Sequence, residues 1–511
     1  MTESSQKTLP EKGDFFPKTV RLILLGLLFA AAFAVRIYHI SDPPLNYAPN
    51  PQYRSALISK SQFYLSDQTQ PEWKRELARI ELQSQALYEP PIIENLASLT
   101  YRIIGKEALW IPRLYSVFFW LITAVFIYII VRRMWSSDAA LISVSYFLFI
   151  LFGIFASRSF QPDPLMILAM IVGLYFILNY YHNPSTKTLL LVTLFSAAAI
   201  FIKFIPIFPL MCAFGFMGLS SQGWRRFFSN KHNYIFVFGS LLPSVVYYSY
   251  VVIVLKSLPS DGTFVFNLLL KPVFWKGWLA LLETVIGLPW LLAGFLGIFL
   301  IKDRLHRSMI IGLWMSYFLF AIIFTYPTYT HSYYQLFLIP IIAISIAPLA
   351  QIVFEALKKS LRIKMIGIAA VFLILILPIL LSVRAAKWRM NNPAFIRKAE
   401  IAREIGDIVN HSNNTFYLAE HYGSWLRYHG EFRGWNWPTS WDYNRSRIEG
   451  RPILGMEENF YSIYNQNDND YFIVTFLEEF ERQPELKTFL FDRFPVLIKN
   501  KNYLIFDLRK R

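Results

Sequence analysis

The chain has 511 residues, 55% of them hydrophobic and 16% charged, with a formal net charge of +16. That is too apolar for an ordinary soluble protein of this size, and the apolar residues come in long blocks that a soluble enzyme does not need. The excess of basic residues does not point to nucleic acid, because many of them sit in short loops between apolar blocks, where they act as topology determinants.

A bilayer-crossing helix needs about 20 mostly apolar residues. In chain order the candidate spans are 19–40, 109–131, 137–155, 164–181, 187–202, 204–219, 233–255, 278–301, 308–325, 333–356 and 365–384. The first has the apolar core of a signal peptide, about Leu22 to Val35, but no small-residue cleavage site follows and it runs into Arg36. It therefore reads as a retained span. The fifth and sixth are short and meet at Lys203. They are two short helices or one broken one, and the second choice inverts everything downstream. The only cysteine, Cys212, lies in an apolar segment and has no internal disulfide partner.

Basic residues orient the spans. With the N-terminus inside, the cytoplasmic segments carry Lys7, Lys12, Lys18 and Arg21; Arg132 and Arg133; Lys187; Arg225, Arg226 and Lys231; Lys302, Arg304 and Arg307; and Lys358, Lys359, Arg362 and Lys364. This regularity predicts about eleven spans with the N-terminus in the cytoplasm and the C-terminus outside. The expected fold is an all-α polytopic membrane bundle over residues 1–384, followed by a small soluble α/β domain over 385–511. In the long outer loop 41–108, Gln52–Leu65 and Glu72–Glu81 read as amphipathic helices lying on the membrane surface. In the outer loop 257–277, Phe274, Trp275, Lys276 and Trp278 read as an interfacial belt. In the tail, Tyr471–Phe476 and Val496–Phe506 read as strands.

Ionisable residues near membrane depth are expensive, and here they gather on the outer side. Asp42, in Ser41-Asp42-Pro43-Pro44-Leu45-Asn46-Tyr47, either deprotonates an acceptor hydroxyl or caps a turn. Glu89, in Tyr88-Glu89-Pro90-Pro91, is either aimed rigidly by the two prolines or solvated in a loop. Arg158 and Asp163 share the short turn Ser157–Pro164, where they pair with each other, or Arg158 snorkels, or they act as anion partner and site carboxylate. Lys203 either snorkels or neutralises a phosphate at the outer face. His331, opening Tyr329-Thr330-His331-Ser332-Tyr333-Tyr334-Gln335, is a belt or a site residue. Arg54 and Tyr334 complete the candidate substrate-binding set. Arg36 and Arg113, at outer span ends, are explained by snorkelling and are weaker candidates; Glu283, inside the eighth span, is expected to face the bundle. No Cys/His metal spacing, Walker loop or dinucleotide fingerprint is visible.

The order of these features resembles the GT-C glycosyltransferases over about residues 15–350. They run from a basic-ended first span through an acidic outer loop, a Pro-Pro motif, Arg-Leu entering the second span, Ser-Arg…Asp-Pro-Leu and a Lys in a split span to His…Tyr-Tyr…Pro. Within that superfamily the chain looks most like the bacterial family-39-like, ArnT-like and protein O-mannosyltransferase-like enzymes. The resemblance implies transfer of a hexosyl or pentosyl group from a polyprenyl-phosphate donor to a hydroxyl on a lipid, glycan or protein, with inversion, on the outer face of the cell membrane. It implies Asp42 and Asp163 as catalytic carboxylates and Arg158, Lys203, His331, Glu89, Tyr334 and Arg54 as substrate or phosphate contacts. A divalent metal ion stays open as a cofactor, with Asp42 and Asp163 its ligands if one binds. Two departures stand out. Relatives often carry the acid after Pro-Pro-Leu, where this chain has Asn46, and their His- or Lys-Pro-Pro is here Glu89-Pro90-Pro91. The competing reading is a transporter or flippase of lipid-linked or small anionic substrates, which would place its charges at the membrane midplane rather than at one face.

Overall fold

The computed structural model describes residues 14–85, 89–256, 265–359, 361–449, 452–467 and 469–510. Lys7, Lys12, Tyr88 and residues 257–264 lie outside them, as do the side chains of Lys359, Arg362 and Lys364.

The first apolar block forms α1 (Lys18–Ile37). The loop after it folds into α2 (Pro49–Ser66), α3 (Glu72–Ser84) and α4 (Ile92–Ile104). The bundle continues with α5 (Trp110–Met134), α6 (Ser137–Phe149), α7 (Leu151–Ala156), α8 (Asp163–His182), α9 (Thr186–Ile202) and α10 (Ile207–Gln222). Then come α11 (Trp224–Ser229), α12 (Lys231–Ile253), α13 (Pro272–Val285), α14 (Leu288–Phe299), α15 (Arg304–Ile323), α16 (Thr325–Thr330), α17 (Leu338–Ser345), α18 (Ala347–Lys359) and α19 (Leu361–Met390). Every expected span has a helical counterpart, but they are not alike. Among the described residues, six helical segments are long and apolar enough to cross a membrane alone, and one bent pair reaches the same length. Helices α9 and α10, of 17 and 16 residues, are about 25 Å long at 1.5 Å per residue. That is short of the roughly 30 Å of a hydrocarbon core. They are separate helices, with Lys203 in extended conformation between them.

Buried small residues let the central helices approach. A Cβ on Gly312 of α15 would lie 2.7 Å from the carbonyl oxygen of Cys212 in α10, so only glycine permits this crossing. Outward faces of α1, α12 and α15 carry exposed Leu, Ile, Val and Phe, as lipid-facing helices do.

Several details differ from expectation. The eighth span is broken: α13 and α14 meet at 92°. Gly287, at φ +82°, makes the corner, and the exposed Glu283 carboxylate accepts the Leu288 N–H at 2.6 Å. Glu283 thus caps the freed first turn of α14 instead of facing the bundle, because a bend exposes N–H groups that a straight helix would satisfy. The aromatic belt is partial. Trp275 is exposed, whereas Phe274 and Trp278 are buried, with Trp278 Nε1 donating to Tyr317 Oη at 2.7 Å. Helix α2 is buried around most of its circumference rather than half-submerged in lipid, because α3, α4 and the tail pack on it.

The tail continues from α19 into α20 (Pro393–Ile408) and α21 (Ser424–Gly430), with α22 (Ser440–Glu449), α23 (Met456–Asn467), α24 (Leu477–Glu481) and α25 (Pro484–Arg493). These surround β1 (Thr415–Leu418), β2 (Gly434–Asn436), β3 (Tyr471–Val474), β4 (Val496–Lys499) and β5 (Leu504–Asp507). The sheet order is β2-β1-β3-β5-β4. Strands β1–β2 and β1–β3 pair parallel, and β3–β5 and β4–β5 antiparallel. The expected strand 496–506 is therefore a hairpin, turned at Asn500–Tyr503. Alternation splits the sheet's two faces between two cores. Phe416, Phe472 and Phe506 pack with Trp437 and Phe460. Tyr417, Ile473 and Ile505 instead join Tyr53, Ala56, Leu57 and Ile93 of the first loop in one core.

Candidate functional site

Helix α9 ends where Lys203 turns extended, and the start of α8 brings Asp163 alongside it. Lys203 Nζ donates to both Asp163 oxygens, at 3.2 and 3.1 Å. It also lies 3.4 Å from Glu89 Oε1, and the other Glu89 oxygen is 3.8 Å from Arg54. Asp163 and Lys203 are almost wholly buried, whereas the Glu89 side chain keeps 19% of its exposure, so Glu89 forms the open side of the cluster. The rings of Tyr333 and Tyr334 lie 5.8 and 5.6 Å from Lys203 Nζ. Both are within cation–π range, worth about 0.5–2 kcal/mol each. His331 stands behind them, 5.4 and 6.1 Å from those rings, with Nδ1 2.7 Å from the Thr330 hydroxyl.

Asp163, Lys203, Glu89, Arg54 and Tyr334 are thus brought together, with His331 one layer out. Tyr333 belongs with them; it went unselected although it adjoins Tyr334, because a doubled Tyr at a span end looks like belt. The Asp163–Arg158 pair does not form, because Lys203 takes the carboxylate. Arg158 is almost fully buried, and among the described residues none of its three side-chain nitrogens has a hydrogen-bond partner. It does not snorkel.

Nor do the other arginines. Arg36 is buried and donates to Ser157 Oγ at 2.6 Å and to the carbonyls of Leu148 and Ala32 at 2.7 and 3.0 Å. Arg113 donates to the carbonyls of Asp42 and Arg158 at 2.7 and 3.0 Å and to that of Ile40. Arg113 ties loop backbone to the bundle, whereas Arg36 ties α1 to the end of α6 and to Ser157. Asp42 itself sits apart from the Lys203 cluster. Its carboxylate is 2.6 Å from His39 Nδ1, and it lines a cavity of about 430 Å³ shared with α20 and α21. Among the described residues no contact joins Asp42 to Asp163.

The residues do not fit a divalent ion as arranged. The two converging carboxylates, Asp163 and Glu89, hold the Lys203 ammonium between them. Among the described residues no three His, Cys, Asp or Glu side chains gather as metal ligands, where a hard divalent cation takes several oxygen donors. Chemically the cluster is a cation held by two bases beside a second cation. It can seat a phosphate oxygen on Lys203 and Arg54 and leave a carboxylate free to accept a proton.

Residues 88–250, which carry Glu89, Asp163 and Lys203, match the family model described as dolichyl-phosphate-mannose-protein mannosyltransferase. The fold is similar to that of ArnT from Cupriavidus metallidurans bound to undecaprenyl phosphate, with TM-score 0.59 at 15% identity over 96% of this chain and 98% of that one. It is also similar to the Archaeoglobus fulgidus oligosaccharyltransferase AglB in complex with an inhibitory peptide and a dolichol-phosphate, with TM-score 0.54 at 12% identity over 90% of this chain and 69% of that one. A comparison with curated protein sequences gives no match. The chain is a multi-pass membrane protein with the GT-C fold, and the resemblance drawn from the sequence motifs holds.

Proposed function

We propose that the protein is a membrane glycosyltransferase that moves a sugar from a polyprenyl-phosphate donor to a hydroxyl acceptor at the outer face of the cell membrane. The observation that carries this reading is the buried Asp163–Lys203–Glu89–Arg54 cluster, set in the fold of proteins solved with undecaprenyl phosphate and dolichol-phosphate. The acceptor oxygen attacks the anomeric carbon as the bond from that carbon to the phosphate oxygen breaks. The hydroxyl proton passes to a carboxylate, and the polyprenyl phosphate leaves on Lys203 and Arg54. A phosphate is already a good leaving group, so what the protein adds is positive charge where negative charge develops. In-line attack inverts the anomeric centre. Asp163 is the carboxylate we assign as the base that takes the acceptor proton, with Glu89 facing the opening. Asp42 belongs to the acceptor side. The basic-loop pattern supports an N-terminus in the cytoplasm and a tail, residues 385–511, outside.

The test is transfer by the purified protein in detergent, using labelled polyprenyl-phosphate sugars extracted from membranes of the source cells. It is paired with mass spectrometry of envelope glycans and lipids in a deletion strain. Loss of one glycan or lipid modification in the strain and labelled product in vitro are the expected results. Labelled donor crossing vesicles without any transfer would replace this reading with a flippase.

A further inference from the structure

Two polar cavities lie between the first outer loop and the tail, away from the Lys203 cluster. One, of about 420 Å³, runs from α2 and α3 to α20 and α21; the other, of about 430 Å³, runs from Asp42 to α20. They share Glu107, Arg403, Tyr428 and His429, and so form the two lobes of one groove. Each lobe has the size of a small-ligand site.

The charges in the groove nearly offset one another, Lys60, Lys74 and Arg403 against Asp42, Glu107, Asp407 and Glu431. Lys60 lies 3.3 Å from Glu107 and 2.8 Å from Glu431, and Lys74 is 2.8 Å from Glu431. What remains is hydrogen-bonding capacity of both kinds. Among the described residues, Arg403 has no carboxylate partner, and Glu107 Oε2 accepts no hydrogen bond. Within that same set, His429 gives Nε2 to the Tyr53 hydroxyl at 2.9 Å and leaves Nδ1 without a bond. Burial, with Lys60 and Arg403 nearby, pushes this imidazole down to about 3, so it is neutral at pH 7 and offers a ligand its one remaining nitrogen, as donor or acceptor by tautomer. Trp73, 40% exposed and stacked at 4.2 Å on His411, closes one end. A ligand for such a site is uncharged, rich in groups that both donate and accept, and partly apolar.

We infer that this groove binds a neutral saccharide, the glycan acceptor of the proposed transfer, with Glu107 and Arg403 its principal contacts. The inference rests on the glycosyltransferase reading for the word acceptor, but not for binding. The tail then has a role in recognition, since it lines about half of the site, mostly from α20 and α21, and Asp42 reaches the other lobe.

The experiment is binding of the full-length protein in detergent to an array of defined neutral and acidic oligosaccharides, repeated for Arg403→Ala, Glu107→Gln and Lys487→Ala, the last in α25 and outside the groove. A neutral oligosaccharide should bind, and each groove variant should lose about tenfold in affinity, the worth of one hydrogen bond to a charged group. Lys487→Ala should bind normally. Arg403 is exposed and unpaired, so its variant keeps its melting temperature even where Glu107→Gln, which loosens Lys60, does not. No binding to any sugar on the array overturns the inference. So does binding that Arg403→Ala leaves unchanged, or binding of acidic glycans only, abolished by moderate salt. If sugar binding follows this pattern but no donor is ever turned over, the groove stands and the transferase reading falls.

Discussion

Asp163 and Lys203 are each the other's buried counter-ion, and removing one partner of such a pair typically costs 3–5 kcal/mol because a bare charge stays behind. Here Glu89 is 3.4 Å from the same ammonium and can take up part of that burden. Asp163→Asn is therefore expected to lower the melting temperature modestly and to reduce transfer by 10²–10⁴, the range for a lost general base. Lys203→Met should unfold more readily, since it leaves two carboxylates facing each other. The double variant Asp163→Asn, Lys203→Met should regain stability and remain inactive. Thermal melts beside a transfer assay separate these outcomes; near-normal transfer by Asp163→Asn would make the pair purely structural. Arg158 is a different case. Its guanidinium has no hydrogen-bond partner among the described residues, so a buried charge stands without the bonds that usually accompany one. Arg158→Met, which keeps the stem and drops the charge, should hold or raise the melting temperature. A fall in transfer with that stability intact would give Arg158 an anion to bind.

At the scale of elements, two contacts carry sharp expectations. Gly312→Ala puts a methyl group against the Cys212 carbonyl, and α10 and α15 cannot both keep their places. Overpacking of this kind costs about 1–3 kcal/mol, visible as a lower melting temperature in detergent. The second is the lock between α2, α3 and the tail, where Glu431 binds Lys60 and Lys74. These cations hold the Glu431 carboxyl down to about 2. A carboxyl lowered in the folded state adds stability above its unfolded value, about 4.3, and loses it as pH falls toward the folded one. Docking of the tail should accordingly weaken between about pH 4.5 and 2. Limited proteolysis across that window should cut the tail in wild type progressively, and Glu431→Gln should be cut already at neutral pH.

For the whole molecule the open quantity is orientation. The basic-loop pattern predicts Arg225, Lys302 and Lys359 in the cytoplasm and the tail outside. A reporter fused after residue 511 should be active only when exported, such as alkaline phosphatase, and silent when it needs the cytoplasm. The broken α13–α14 pair makes this test informative. A helix pair bent by 92° can enter and leave by the same face, and that would move the tail to the other side.

Composition and apolar periodicity were sufficient for the membrane class and for a helix at every expected span, because burial in lipid demands long apolar stretches whatever the neighbours do. The candidates Asp163, Lys203 and Glu89 were legible for a related reason: an ion near membrane depth is too costly to be idle. Partners were not legible. Asp163 lies five residues from Arg158 and forty from Lys203 in sequence, yet it pairs with Lys203, because the end of α9 and the start of α8 bring those two side chains together. Arg36, Arg113 and Arg158, for each of which snorkelling was one reading, are buried instead, Arg113 on loop carbonyls and Arg36 on Ser157 and the end of α6, positions no local pattern reveals. Tertiary packing likewise turned α2 from an apparent surface helix into a buried one, by laying the tail's sheet across it. Sequence sets which groups must leave water; the packed structure alone decides which partner each of them meets there.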